Sequence, residues 1–221
     1  MPTGTKEVRL IKAARQPVIQ TQQALEKNDL AAARKSWMTY DPIWNGMEVY
    51  VSHRSRPNYE DVELNWQAKI NKALEAPDAK PADIIPMTKA MLATWEKVLK
   101  LAEEGPAISP LFDDVASVRE GRQPLRAATA ALAKGDADTA RGQWGEFARA
   151  AWPKVSRLFK ERALDVYNDL EASTKAATPT FARGSATAAE LTPVLAAINT
   201  KFGAGQTAMT QAARNDKSVG G

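Results

Sequence analysis

Apolar residues return along this chain at helical intervals. Val8, Ile11, Val18 and Leu25 follow one another at spacings of three, seven and seven, which puts them on one face of a helix. A second helix is predicted from Leu30 to about His53, with Trp37 and Trp44 seven residues apart. A third carries Tyr59, Val62, Trp66, Ile70 and Ala73 on one face. The composition of Ala76 to Pro81 marks a loop. A fourth helix, from about Ala82 to Glu104, shows a broad apolar face of Met87, Met91, Leu92, Trp95, Val98, Leu99 and Leu101. No alternating pattern of the kind that builds a strand stands out.

The pattern then repeats. Arg15-Gln16-Pro17-Val18 returns as Arg122-Gln123-Pro124-Leu125, Leu25 to Asp29 as Leu132 to Asp136, Trp37 as Trp144 and Pro86 as Pro193. Each pair lies 107 positions apart, as from Leu25 to Leu132. In the middle of the repeat the offset is 108, because Trp44 meets Trp152 there. Arg54, Tyr59, Asp61 and Glu63 then meet Arg162, Tyr167, Asp169 and Glu171, and Val51 meets Phe159. A fixed period of this length marks a duplicated structural unit.

Punctuation supports the same division. Asn28 and Gly135 both accept the left-handed conformation that ends a helix, and Asp29 and Asp136 then cap the next one. In the second half the Trp-bearing helix is expected from Ala137 to about Arg162, with Pro153 as a kink, and the next from Asp165 to about Ala176. Thr187-Ala188-Ala189-Glu190 is a capping box. Gly105 to Phe112 links the halves, and the polar tail from Asn215 is expected to fray. The expected fold is all-α: two tandem antiparallel four-helix bundles, residues 1–107 and 108–221.

Composition narrows the chemistry. The chain has no cysteine, which excludes disulfides and thiolate-ligated metals, and a single histidine, which excludes a multi-histidine site. Its net charge is +4, spread along the chain and not gathered into a nucleic-acid footprint. No run of apolar residues is long enough to span a membrane, and no signal peptide is visible at Met1. Phosphate-cradling loops and nucleophile–base patterns are not found, so an enzyme is not expected.

The polar positions of the repeat allow two readings. Arg54 with Tyr59, Asp61 and Glu63, repeated as Arg162 with Tyr167, Asp169 and Glu171, can form a lock in which the arginine bridges a carboxylate on the next helix. Alternatively the carboxylates serve as hard oxygen ligands for a cation. Glu60 and Glu63 share a helical face, and Glu48 lies one turn after Trp44. In the second half Ser156 and Asn168 replace Glu48 and Glu60. The four repeated tryptophans are read as core, with a ligand-stacking surface as the alternative, and His53 as a cap for helix-end carbonyls.

The core from Trp44 to Glu63, quoted loosely as W-x-x-M-E-x-x-V-x-x-R-S-x-x-x-Y-x-D-V-E, resembles the helical extracytoplasmic region of bacterial high-affinity iron permeases. LEKNDLAAARKSW is similar to the start of imelysin-type (EfeO-like) helical domains of the same uptake systems. The resemblance covers about Val8 to Ala212, with Glu48, Arg54, Tyr59 and Glu63 matching in the first half and Arg162, Tyr167 and Glu171 in the second. It implies duplicated helical bundles, a periplasmic location, iron as the bound ion and a membrane iron permease as partner. Taken with the cation reading of the repeated carboxylates, the expected metal ligands are Glu48, Tyr59, Glu60, Asp61, Glu63, Asp169 and Glu171. The imelysin H-x-x-E motif is missing, since Arg56 stands third after His53, and this argues against a peptidase. The permease motif R-E-G-x-E is also missing: Arg119-Glu120-Gly121-Arg122-Gln123 lacks the last glutamate. The resulting expectation is a non-enzymatic iron-binding or iron-delivery component. The alternative is a helical scaffold or adaptor that docks a partner protein without a metal.

Overall fold

Two left-handed residues set the first reversal of each half. Asn28 (φ 58°) and Gly135 (φ 77°) close the preceding helix. The next amides, of Asp29 and Asp136, donate back to Ala24 and Ala131 at 2.9 and 3.0 Å. The Asp29 carboxylate then accepts the Ala32 N–H, and the Asp136 carboxylate the Thr139 N–H, each at 2.9 Å. Each turn thus satisfies orphan groups of two helices at once.

The computed structural model describes residues 5–218 and shows an all-α chain, with no strand among them. The chain divides into two compact units between Ile108 and Ser109. Unit one contains α1 (Lys6–Glu26), α2 (Leu30–Trp37), α3 (Tyr40–Arg54), α4 (Arg56–Glu60), a π-helix π1 (Asp61–Gln67), α5 (Ala68–Glu75) and α6 (Pro81–Glu104). Unit two contains α7 (Leu111–Gly121), α8 (Gln123–Ala133), α9 (Ala137–Glu146), a π-helix π2 (Phe147–Ala151), α10 (Trp152–Arg162), α11 (Leu164–Ala182) and α12 (Ala188–Asn215). In unit one α1 packs on α2, α3 and α6, and π1 packs on α6. In unit two α12 packs on α7, α8 and α11. No helix among the described residues is long and apolar enough to cross a membrane.

The two π-helices explain why the repeat slips and then recovers. A π turn takes one more residue than an α turn over the same length. Tyr40 and Phe147 are 107 apart and both fully buried, whereas Trp44 and Trp152 are 108 apart, so the extra residue of unit two falls within π2. Its hallmark is the Trp152 N–H bonded to the Phe147 carbonyl, five residues back. Val62 and Leu170 are still 108 apart, but Gln67 and Thr174 are 107 apart, and all four are buried. The compensating residue of unit one therefore lies within π1.

These irregular turns correct several expectations. The Trp-bearing helix runs unbroken from Ala137 to Arg162 in unit two, as expected, but not in unit one. In unit one it breaks at Met38 and Thr39, where Pro42 has no N–H to give to Met38. In unit two Pro153 stands at the start of α10, and the distortion is the π turn just before it. Val62 and Ile70 of the third helix are buried as expected, but after π1 Gln67 and Leu74 are buried where Trp66 and Ala73 were expected. Leu101 is exposed, at 40%. The last helix of unit two keeps its shape to Asn215, and Asp216 accepts a 2.5 Å hydrogen bond from the Ser109 hydroxyl. The rest of the expected fraying tail, residues 219–221, lies outside the described residues. The capping box is formed: the Glu190 N–H donates to Thr187 Oγ1 at 3.3 Å, and the Thr187 N–H to Glu190 at 2.8 Å.

Each core is built on aromatic rings. Tyr40, Trp44 and Trp95 are fully buried in unit one, as are Phe147, Phe159 and Phe202 in unit two. Trp95 meets Tyr40 edge-on at 6.4 Å, and Phe202 meets Phe147 at 6.1 Å, one period later. Burying each such ring contributes about 2–3 kcal/mol. The repeated tryptophans are thus core residues.

Candidate functional site

The repeated polar motif gathers around one tryptophan in each unit. Tyr59 stacks on Trp44 with ring centroids 5.8 Å apart, and Tyr167 stacks on Trp152 at 6.2 Å. The Trp44 indole N–H donates to Glu63 Oε2, and the Trp152 indole N–H donates to Glu171 Oε2 at 2.8 Å. Tryptophan, tyrosine and glutamate therefore form one corner, made twice. Its local cause is helical: Tyr59 and Glu63, like Tyr167 and Glu171, stand one turn apart and reach the same indole.

The arginine of the motif does something else. The expected bridge from Arg54 to a carboxylate on the next helix is not formed. Arg54 turns back to α1, where Nε and Nη2 each donate to Glu7 at 2.8 Å, and Nη1 donates to the Pro106 carbonyl at 2.6 Å. Arg162 likewise turns back to Asp114 on α7, at 3.3 Å. The reason is that Asp61 and Glu63 already accept other donors, while Glu7 is buried at 3% exposure and requires a charged partner. Glu7 and Asp114 lie 107 apart, so the period could have revealed them.

Asp61 accepts hydrogen bonds from the Thr94 hydroxyl at 2.5 Å, from the Trp66 indole at 3.0 Å and from Asn65 at 3.0 Å. Burial pushes the Asp61 carboxyl up, but these three donors and nearby Lys97 outweigh it and hold the group below its usual range. Glu171 is held low by the Trp152 indole and then by Lys175, 3.0 Å away. Burial raises the Tyr59 phenol, and the charge of Glu63 raises it further.

A depressed folded-state carboxyl stabilises above its unfolded pKa and loses that contribution as pH falls through the folded value. Stability should therefore decline below about pH 4. Asp61→Asn should flatten that decline, as read from thermal midpoints measured at successive pH values. An unchanged slope would remove Asp61 from the acid response.

The remaining candidate ligands are dispersed. Glu60 pairs with Arg56 at 2.7 Å, and the Arg56 guanidinium lies 5.0 Å from the centre of the Tyr59 ring. Glu48 is half-buried on α3, Asp169 is exposed on α11, and His53 is exposed at the end of α3. Among the described residues no group of three or more His, Asp or Glu side chains comes together to hold a metal ion. The corner offers two oxygen donors in each unit, a phenol and a carboxylate.

The indole N–H groups show what the copies keep. Trp37 donates to Asn71, but Thr178 stands at the equivalent place in unit two. The Trp144 N–H accordingly has no partner among the described residues. No family model, curated protein or solved structure matches the chain.

Proposed function

We propose that this chain is a non-enzymatic helical docking module that presents its helix faces to a partner protein and uses its repeated carboxylates to hold the fold. One observation carries this reading. Four of the candidate carboxylates are each taken singly: Glu63 by an indole, Asp61 by a hydroxyl, an indole and an amide, Glu60 by an arginine, and Glu171 by an indole and a lysine. Glu63, Glu171 and Asp61 spent in this way brace helix against helix, Glu60 is held within its own helix, and the four are not gathered for a cation.

A second reading is favoured by the corner itself. Tyr59 and Glu63 approach the same indole, and these residue types match the resemblance to extracytoplasmic iron-uptake domains. Two hard oxygen donors would hold iron only with ligands supplied from outside, which suits delivery to a membrane permease more than storage.

Calorimetric titration with ferrous and ferric ions separates the two. The docking reading expects no saturable binding that depends on these residues. Saturable iron binding that disappears in Tyr59→Phe and Glu63→Ala would overturn it in favour of iron delivery.

A further inference from the structure

Unit two carries a stripe of charge that its fold does not require. Residues 147–162 form π2 and α10, and they hold Arg149, Lys154, Arg157, Lys160 and Arg162 against a single acid, Glu161. The equivalent stretch of unit one is α3, where the balance is reversed: Asp41 and Glu48 stand against Arg54. The same element is thus built with either sign of charge, so packing does not account for the cations.

Their placement is regular. Trp152, Val155, Leu158 and Phe159 are buried on one side of α10. Lys154, Arg157 and Lys160 follow one another at intervals of three and are exposed, so they climb the other side. Arg149 is exposed too, five residues before Lys154, and through the wider turn of π2 that step makes about one turn. From Arg149 to Lys160 the stripe covers about 16 Å of helix. Unit one has Gly46, Val49 and Ser52 at the places of Lys154, Arg157 and Lys160.

Little neutralises these cations. Arg157 pairs with Glu161 at 2.9 Å, but the two side chains are 73% and 45% exposed, and a pair so open to water is weak and exchangeable. Lys160 lies 5.9 Å from the centre of the Tyr167 ring. Arg149 and Lys154 have no acid partner among the described residues. Arg162 is the exception, turned back to Asp114.

An apolar residue ends the stripe. Leu164 is 53% exposed at the start of α11, one turn before Tyr167 on the same side of that helix. Tyr167 is the ring that Lys160 meets. Unit one has Arg56 at the place of Leu164.

We infer, resting on the docking reading, that the outer side of π2 and α10 docks an acidic segment of a partner protein. Its carboxylates lie on Arg149, Lys154, Arg157 and Lys160, and an apolar side chain of the segment covers Leu164. Complementary charge steers such a contact and fixes its register, while the apolar end distinguishes a protein segment from a bare polyanion. A membrane surface fits less well, because the apolar side chains of α10 are spent in the core.

The test is fluorescence anisotropy of a fluorescein-labelled oligoglutamate peptide with a leucine near one end, titrated with the full chain at low salt. Saturable binding that weakens as salt is raised is expected. Lys154→Glu combined with Lys160→Glu should weaken it at least about tenfold, and Leu164→Ser about threefold. Lys27→Glu combined with Lys35→Glu makes the same change of net charge at exposed positions of unit one. That control should stay within about twofold of the wild type, since charges beyond a screening length act weakly. Circular dichroism confirms that each variant is folded. The inference is overturned by absence of saturable binding, by equal losses in the two double variants, or by unchanged binding in Leu164→Ser. Tighter binding of a single-stranded DNA oligonucleotide of equal charge overturns it as well. Iron titration of the same sample keeps two failures apart. Saturable iron binding that depends on Tyr59 and Glu63 removes the docking reading, whereas a peptide that does not bind, without such iron binding, removes only this face.

Discussion

Arg54→Ala is expected to destabilise unit one by about 3–5 kcal/mol, whereas the equivalent Arg162→Ala should cost about 0–1 kcal/mol. Both arginines make the same connection, from the end of a Trp-bearing helix back to an acid on the first helix of the unit. What differs is water. The Arg54 and Glu7 side chains are 10% and 3% exposed, while those of Arg162 and Asp114 are 43% and 26% exposed. Removing Arg54 leaves the Glu7 carboxylate charged and buried and frees the Pro106 carbonyl. Removing Arg162 leaves an acid that water can reach. Urea unfolding of the two variants decides the matter, and if the units unfold separately only the transition of unit one should move for Arg54→Ala. Equal losses would mean that burial does not set the strength of the lock.

The helical pattern, the period and both left-handed turns were legible because each rests on local rules. Asn28 and Gly135 are residue types that tolerate positive φ, and Asp29 and Asp136 are capping residues in the next position. The π turns were visible only as changes of offset, from 107 to 108 and back, and an offset does not say which turn absorbs the residue. The partner of Arg54 was harder to see. Glu7 lies 47 residues upstream, and Asp61 and Glu63 are nearer in sequence and chemically just as suitable. Helical spacing put the carboxylates on shared faces but could not say whether an indole or a cation would meet them.

Gly205→Val should destabilise unit two by about 2–3 kcal/mol, and adding Phe159→Val should recover most of that loss. Gly205 is buried on α12, and a Cβ there would lie 2.5 Å from Phe159 Cε1 and 2.7 Å from Val166 Cγ1. Val166 has little freedom to move, because β-branched side chains are stiff within a helix. The helix gains up to about 1 kcal/mol when glycine is replaced, so the observed loss is what overpacking leaves after that gain. In unit one the equivalents of Phe159 and Gly205 are Val51 and Val98, both buried. Large and small have been exchanged between two helices while the core stayed filled. Phe159→Val alone should also cost about 2 kcal/mol, because it opens a cavity next to a residue with no side chain. The double variant restores the unit-one pair, so its cost should fall well below the sum of the single ones, by more than about 1 kcal/mol. Thermal or urea unfolding of the three variants gives the coupling directly. Additive losses would show that the two sites do not share one space, and that the glycine is kept for another reason.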